Sequence, residues 1–498
     1  MAITRRQFIT RTGLATAGAV FGPSLFRNPL LRRAMAETIG DRYLIVIFLD
    51  GGNDGLNTII PVSGGSVGMR GDYETWRHSP ATSGGLRIVN PLVPSQPMID
   101  MNTGTQIGFH PGLSGLRDMY DQNRVAVIQG CGYPEYNLSH DVSRSIWRRG
   151  APLSTPSTGW LGRYLAAAGY MGADIPAVTV GGAVAGELSQ TATSVLVFDR
   201  LRDFGFPYDF DFDGDDDPNP DDTTFKNNVF NALCTAATSN GHPLMQYLGG
   251  TGTATLLAAA SYPELHNAYV NRPGSFNDLY QNDDPAGLNT STARNLREIA
   301  KVIYGVASDA PNVNARFFEF ANGGYDTHSD QGTDNPDDAQ YSLHKEIGDA
   351  IKLFYDELAD MASGASAGSK LENLDSKVCV MVWSEFSRRI EQNDNGTDHG
   401  SQGPVLVIGG GVTGGLFGDH PNIAESGLDD DGNTVYKQDT SNGARSTDFR
   451  DVYGTIVKHW LNVTDQPTLD GLLPLDSTLG FSGPDYWTAA DFDMGFLP

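Results

Sequence analysis

The sequence predicts an α/β fold: a doubly wound, mostly parallel sheet with helices on both faces and an inserted acidic cap region. Three observations carry this reading. Continuous apolar runs of strand length recur along the chain, helical patterns separate several of them, and polar clusters rich in Asp, Asn and His follow the runs directly. Parallel strands are buried on both faces and so read as unbroken apolar stretches. Their alternation with helices implies crossovers that cover the sheet twice.

In chain order, the first segment is set aside from fold reasoning. TRRQFIT at Thr4–Thr10 is followed by the mild apolar stretch GLATAGAVFGPSLF and by AMA at Ala34–Ala36. Arg5-Arg6 with Phe8 reads as a twin-arginine export signal, an address for the export machinery rather than an anchor, with cleavage expected after Ala36. No later run reaches the roughly 18 to 20 apolar residues of a membrane span. The expectation is a signal over 1–36 and a soluble mature chain in the periplasm or outside the cell. Twin-arginine export carries folded proteins, often with a metal already inside.

The strand-like runs are YLIVIFL (43–49), RVAVIQG (124–130), IPAVTVGG (175–182), ARFFEF (315–320), KVCVMVW (377–383) and PVLVIGG (404–410). Helical periodicity marks TARNLREIAKVIYGVA and YSLHKEIGDAIKLFYDELADMA. One α/β domain over 41–485 accommodates these elements. The rhythm weakens over 186–290, read as an insertion or cap. Within it DFDFDGDDDPNPDD (209–222) spaces oxygen ligands at alternate positions, as a calcium loop does. The distal glutamate of an EF-hand is missing, so a solvated acidic loop is the competing reading.

With 34 basic against 60 acidic residues, the 498-residue chain has a net charge of -26. That balance argues against nucleic acid or anionic membrane as partners. Cys131, Cys234 and Cys379 are odd in number and far apart, which excludes a dense disulfide framework and any C-x-x-C motif. Cys379 lies in an apolar run and reads as a small buried thiol, while one disulfide stays open.

Open α/β sheets bind ligands beyond the carboxyl ends of their strands. Here DGGNDGLNT, with Asp50, follows the first run, and CGYPEYNLSHDVSRSIW, with Ser139 and His140, follows the second. NGGYDTHSDQ, with Asp326 and His328, follows the fourth, and SEFSRRIEQNDNGTDHG, with Asp398 and His399, the fifth. Carboxylates mixed with imidazoles suit zinc, manganese or iron rather than magnesium or calcium. Glycines beside Asp398-His399 and before Asp326 are expected to take positive φ and aim neighbouring side chains at one centre. Ser139 fits either a nucleophile at the mouth of a helix or a plain N-cap, and His140 fits local packing as well as a site.

Taken together, FLDGGNDGLNTIIPV, NLSH…IW, GWLGRYL, GGYDTHSDQ, SEFSRR…NGTDHG and TDFRDVYGTI resemble the exported domain-of-unknown-function family numbered fifteen-oh-one, over roughly 41–465. That family is similar to the alkaline phosphatase and sulfatase superfamily. The resemblance implies an alkaline phosphatase-like sheet with two divalent ions, zinc or manganese favoured. It implies one ion held by Asp50, the nucleophile Ser139, Asp398 and His399, and a second held by Asp326, His328 and a later histidine, for which His420 stands at a plausible distance. Arg144, Arg388 and Asn53 are implied to bind the anionic group.

Two features depart from the superfamily pattern: a single residue separates Asp326 from His328 where three are common, and the motif C-x-P-x-R is absent around Ser139. An unmodified serine and a phosphoester, rather than a formylglycine and a sulfoester, are therefore expected. The expected activity is an exported metal-dependent hydrolase of an anionic ester. A non-catalytic exported metal-binding or assembly protein is the alternative, and rearrangement within one substrate a third reading.

Overall fold

The computed structural model describes residues 39–64, 69–154, 156–170, 175–189, 194–204, 220–272, 290–310, 313–421, 423, 426–428, 434–436, 446–464, 466–480, 487 and 493–498. Residues 1–36, read as an export signal, and residues 209–219 of the acidic loop, read as a solvated loop with a calcium loop as the alternative, lie outside the described residues.

All six apolar runs form strands of one sheet. In chain order the strands are β1 (Tyr43–Asp50), β2 (Ile59–Gly64), β3 (Thr105–Phe109), β4 (Val125–Gly132), β5 (Ala177–Val180), β6 (Val195–Phe198), β7 (Phe317–Gly323), β8 (Val378–Ser384), β9 (Ser387–Arg388), β10 (His399–Gly400), β11 (Gly403–Gly409) and β12 (Gly415–Phe417). The helices are α1 (Met69–Trp76), α2 (Ser114–Asp121), α3 (His140–Arg149), α4 (Trp160–Ala167), α5 (Pro220–Thr238), α6 (Pro243–Val270), α7 (Ser291–Ala307), α8 (Ala339–Ser363) and α9 (Phe449–Thr455). The main sheet runs β12-β4-β11-β8-β1-β7-β5-β6, with Thr447–Asp448 added beside β4.

β1 is the middle of this sheet and shows why it is covered twice. Tyr43, Ile45, Ile47 and Leu49 pack on one face with Leu116, Ile299 and Phe354 from α2, α7 and α8. Leu44, Val46 and Phe48 pack on the other with Trp147, Trp160 and Tyr453 from α3, α4 and α9. Successive side chains of a strand point to opposite faces, so an unbroken apolar run serves two cores. β8 divides in the same way: Val380 and Val382 face one core, Cys379 and Trp383 the other. Cys131, Cys234 and Cys379 are all free thiols and buried, and burial pushes each thiol up from its ordinary value.

One strand departs from the expectation that the apolar runs lie parallel: β11 is antiparallel to both β4 and β8. The reason is the connection. β8 ends at Ser384 and β11 begins at Gly403, and the chain between them stays at one edge, folded back on itself by the short β9–β10 pairing. It therefore re-enters the sheet from the side it left. The same geometry keeps Asp398 and His399 at the carboxyl edge of β8.

The 186–290 region holds β6, which extends the sheet beside β5, and the paired helices α5 and α6. Among the described residues no helix is long and apolar enough to cross a membrane.

Candidate metal centre

The carboxyl ends of β1, β7 and β8 are in register: Asp50 lies opposite Gly323, and Leu49 opposite Ser384. The segments leaving them therefore start together. Gly51 has φ +126° and sits so close to the chain after β7 that a Cβ there would lie 2.3 Å from the Asp326 backbone nitrogen. Only glycine allows both the turn and the approach. Gly396 and Gly400, by contrast, do not take the positive φ expected of them. They are glycine because a Cβ would lie 2.3 Å from the His328 carbonyl carbon and 2.5 Å from the Arg388 carbonyl oxygen. Their role is close approach, and it seats the 396–400 segment against the loop after β7.

Three rings are oriented by what their Nδ1 atoms meet. His399 Nδ1 lies 2.8 Å from the Leu138 carbonyl oxygen, His328 Nδ1 3.0 Å from Asp398 Oδ1, and His140 Nδ1 2.7 Å from Glu385 Oε1. A carbonyl or carboxylate only accepts, so each Nδ1 carries a proton, and in a neutral ring the Nε2 is then the atom that offers a lone pair. Those Nε2 atoms converge on Asp326. His328 and His399 stand 3.2 and 3.3 Å from its Oδ1, and His140 3.5 Å from its Oδ2. The His328 and His399 Nε2 atoms are themselves 3.0 Å apart.

With the rings neutral, these atoms and the carboxylate would offer a cation several ligands at once. His140, Asp326 and His399 form a group that could hold a metal ion, their ligand atoms all within 4.8 Å of one another, and His328 lies against it. A tetrahedral centre with ligands about 2.0–2.1 Å away has ligand–ligand edges of about 3.3 Å. The contacts of His328 and His399 with Asp326 have that length. The donor set fits a transition metal, and all four side chains reach the surface.

Buried groups hold this edge from below. Glu385 is fully buried and accepts from the Gly51 N–H at 3.1 Å, the Gly52 N–H at 3.2 Å and the Ser384 hydroxyl at 3.1 Å, besides His140. Arg388, also fully buried, donates to the carbonyls of Gly51, Gly52, Thr397 and Tyr325 and to Asp326 Oδ1 at 2.7 Å. Burial raises the Asp326 carboxyl, but the Arg388 hydrogen bond and charge, with help from His399, win and hold it at about 2. Burial pushes the His399 imidazole down, and the Arg388 and His140 charges add to this against its bonds to Leu138 and Asp326. An ionised carboxylate and a neutral imidazole are the ligand forms that a metal needs.

Residues 306–436 match the family Protein of unknown function (DUF1501). The DUF1501 match covers 131 of the 498 residues. It contains Asp326, His328, Glu385, Arg388, Asp398 and His399, and it leaves His140 outside. No curated protein matches the chain.

Of the expected site residues, the structure brings Asp326, His328, Asp398 and His399 together. They form a different grouping from the two ion sets implied by the resemblance, since Asp398 stands behind His328 and His399 shares Asp326. Asp50 turns its carboxylate to Arg144, 3.4 Å away, and lies outside the group of converging ligand atoms. Ser139 is the N-cap of α3 with an exposed side chain that makes no capping bond.

Asn53 is buried and spends its amide on Thr58 Oγ1 and His344 Nε2. His420 is buried beside Asp100, which accepts its backbone N–H, and lines a separate small cavity with Gln129 and Gln402. Its Nδ1 stays beside the neighbouring Pro421 carbonyl.

The residues that the sequence reading did not select are His140 and Glu385. Each directly follows a strand-end cluster residue, Ser139 or Ser384, and that adjacency is the signal that could have found them.

Proposed function

We propose that this chain is an exported, metal-dependent hydrolase of an anionic ester, a phosphoester in preference to a sulfoester, on an alkaline phosphatase-like sheet. The observation that carries the reading is the convergence of three imidazole Nε2 atoms on the Asp326 carboxylate. His140, Asp326 and His399 would hold one divalent ion, with His328 beside them. A bound ion supplies Lewis acidity toward an ester oxygen and lowers the pKa of an attacking hydroxyl.

The protein's own contribution is orientation. Ser139 lies between Leu138, whose carbonyl receives His399, and His140, which is tied to Glu385, so the backbone carrying its hydroxyl is pinned on both sides. Its exposed side chain suits a nucleophile that meets substrate from solvent. Glu385, Asp398 and the Leu138 carbonyl would hold the rings in the tautomer that coordinates, and losing such an outer partner typically costs about 10- to 100-fold in metal affinity. Arg144, half-buried between Asp50 and Asp141, is the guanidinium at this edge available to an ester anion. In a two-ion arrangement, Asp50 would serve the second ion.

One observation favours the alternative, a non-catalytic exported metal-binding or assembly protein. Arg388 spends its guanidinium on four carbonyls and Asp326, leaving little to clamp a substrate. The two readings separate in a turnover assay. Folded protein loaded with zinc or manganese should hydrolyse members of a phosphoester and sulfoester panel, with Ser139→Ala and His399→Ala each lowering the rate at least 100-fold. Metal-loaded protein that hydrolyses none of them leaves only the binding role.

A further inference from the structure

Helix α3 carries a second polar cluster, of which the proposed function uses only Arg144. His140, its first residue, belongs to the converging donors. Further along, Arg144, Ser145, Arg148 and Arg149, joined by Ser157, Ser189 and the carboxylate of Asp141, line a cleft of about 330 Å³. At 1.5 Å of rise per residue, Arg144 stands about 6 Å beyond His140 along the helix, and Arg149 about 14 Å beyond it.

Two of the guanidiniums are fixed. Arg144 and Arg148 lie over the Phe48 ring at 5.7 and 5.1 Å. Arg148 also reaches Glu187 at 3.2 Å and Glu319 at 3.8 Å, and Gly186 leaves its stem no spare room, since a Cβ there would lie 2.7 Å from Arg148 Cδ. The nearby acids are thus committed: Asp50 and Asp141 to Arg144, Glu187 and Glu319 to Arg148. Burial and repulsion from Glu187 push the Glu319 carboxyl well up.

Arg149 is the third guanidinium, and it has no ion-pair partner among the described residues. In a chain of net charge -26, a helix face that sets an uncommitted guanidinium among serine hydroxyls is a local exception. Favourable interaction with the carbonyl end of the helix would account for Arg148 and Arg149 being basic. It does not account for a cleft with hydroxyls around them.

We propose that this cleft binds a second anionic group of the substrate, a carboxylate, phosphate or sulfate. The substrate class is then a bis-anionic molecule whose charged groups lie about 6–14 Å apart along α3. The spacing rests on the reading that an ester is cleaved at His140, Asp326 and His399; the anion site itself does not.

Isothermal titration of the full exported chain tests both parts, with inorganic phosphate, butyl phosphate and hexane-1,6-diyl bisphosphate as probes. Inorganic phosphate should keep a site in Asp326→Asn, and that site should weaken at least tenfold in Arg149→Gln. The bisphosphate should bind wild type at least tenfold more tightly than butyl phosphate, and Arg149→Gln should lose that advantage. Arg149 is partly exposed with no ion pair to break, so its variant is expected to fold, which circular dichroism checks. Phosphate binding that disappears in Asp326→Asn but persists in Arg149→Gln would place the anion at the centre and overturn the proposal. So would a wild type that binds neither phosphate nor bisphosphate. If metal analysis fails while phosphate binding is still lost only in Arg149→Gln, the cleft stands and only the chemistry assigned to the centre falls.

Discussion

Replacing Glu385 by glutamine removes one charge from beneath the centre while keeping shape. The carboxylate accepts from four donors: His140 Nδ1 at 2.7 Å, the Gly51 and Gly52 N–H groups, and the Ser384 hydroxyl. An amide offers one accepting oxygen. Turned toward His140, it leaves its NH2 against the Gly52 N–H; turned the other way, it sets NH2 against the His140 N–H. Either orientation orphans a buried donor, costing about 1–3 kcal/mol of stability. If His140 ligates a metal as proposed, losing the carboxylate behind it costs a further 10- to 100-fold in metal affinity, or about 1.4–2.7 kcal/mol. The assay is zinc titration of chelator-treated Glu385→Gln and wild type, alongside urea unfolding of both. A variant destabilised as stated but binding zinc within twofold of wild type would refute the argument, because Glu385 would then serve the glycine turn alone.

Other expectations follow from groups around the same edge. Arg388→Met should cost about 1–3 kcal/mol in urea unfolding, since it leaves the buried carbonyls of Gly51, Gly52 and Thr397 without their donor. Gly396→Ala should lower both stability, by about 1–3 kcal/mol, and zinc affinity, because the new methyl collides with the His328 carbonyl; unchanged affinity would mean that His328 does not depend on this contact. His110 is buried, and burial lowers its pKa from 6.5 to about 4. Between these values the unfolded chain binds a proton that the folded chain refuses, so stability falls as pH drops from 6.5 to 4, by about 3 kcal/mol. His110→Gln should flatten that part of the pH–stability curve measured by denaturant unfolding.

The fold was legible where one physical requirement dominates. A strand covered on both faces must be apolar at every position, and Tyr43–Leu49 and Val378–Trp383 could hardly be read otherwise. The direction of β11 was not legible, because an apolar run carries no arrow; direction came from the connection between Glu385 and Gln402, which stays on one edge. In the candidate centre, Asp326, His328, Asp398 and His399 stood out as carboxylate and imidazole pairs in glycine-rich loops.

Their partnership did not stand out, since which ring faces which carboxylate depends on backbone approaches at Gly51, Gly396 and Gly400 that composition does not encode. His140 looked equally suited to local packing, and Glu385 was one acid among many. Asn53, Arg388 and His420 had the right chemistry for an anion or a metal, yet burial commits them to internal hydrogen bonds.

The most direct measurement is elemental analysis of the folded protein beside its Asp326→Asn and His399→Ala variants. Asp326 is the carboxylate on which all three rings converge, so about one transition-metal ion per wild-type chain, and at least tenfold less in each folded variant, is the expected result. Metal-free wild-type protein that also fails to take up zinc or manganese after export, or folded variants that retain the full complement, would contradict the account.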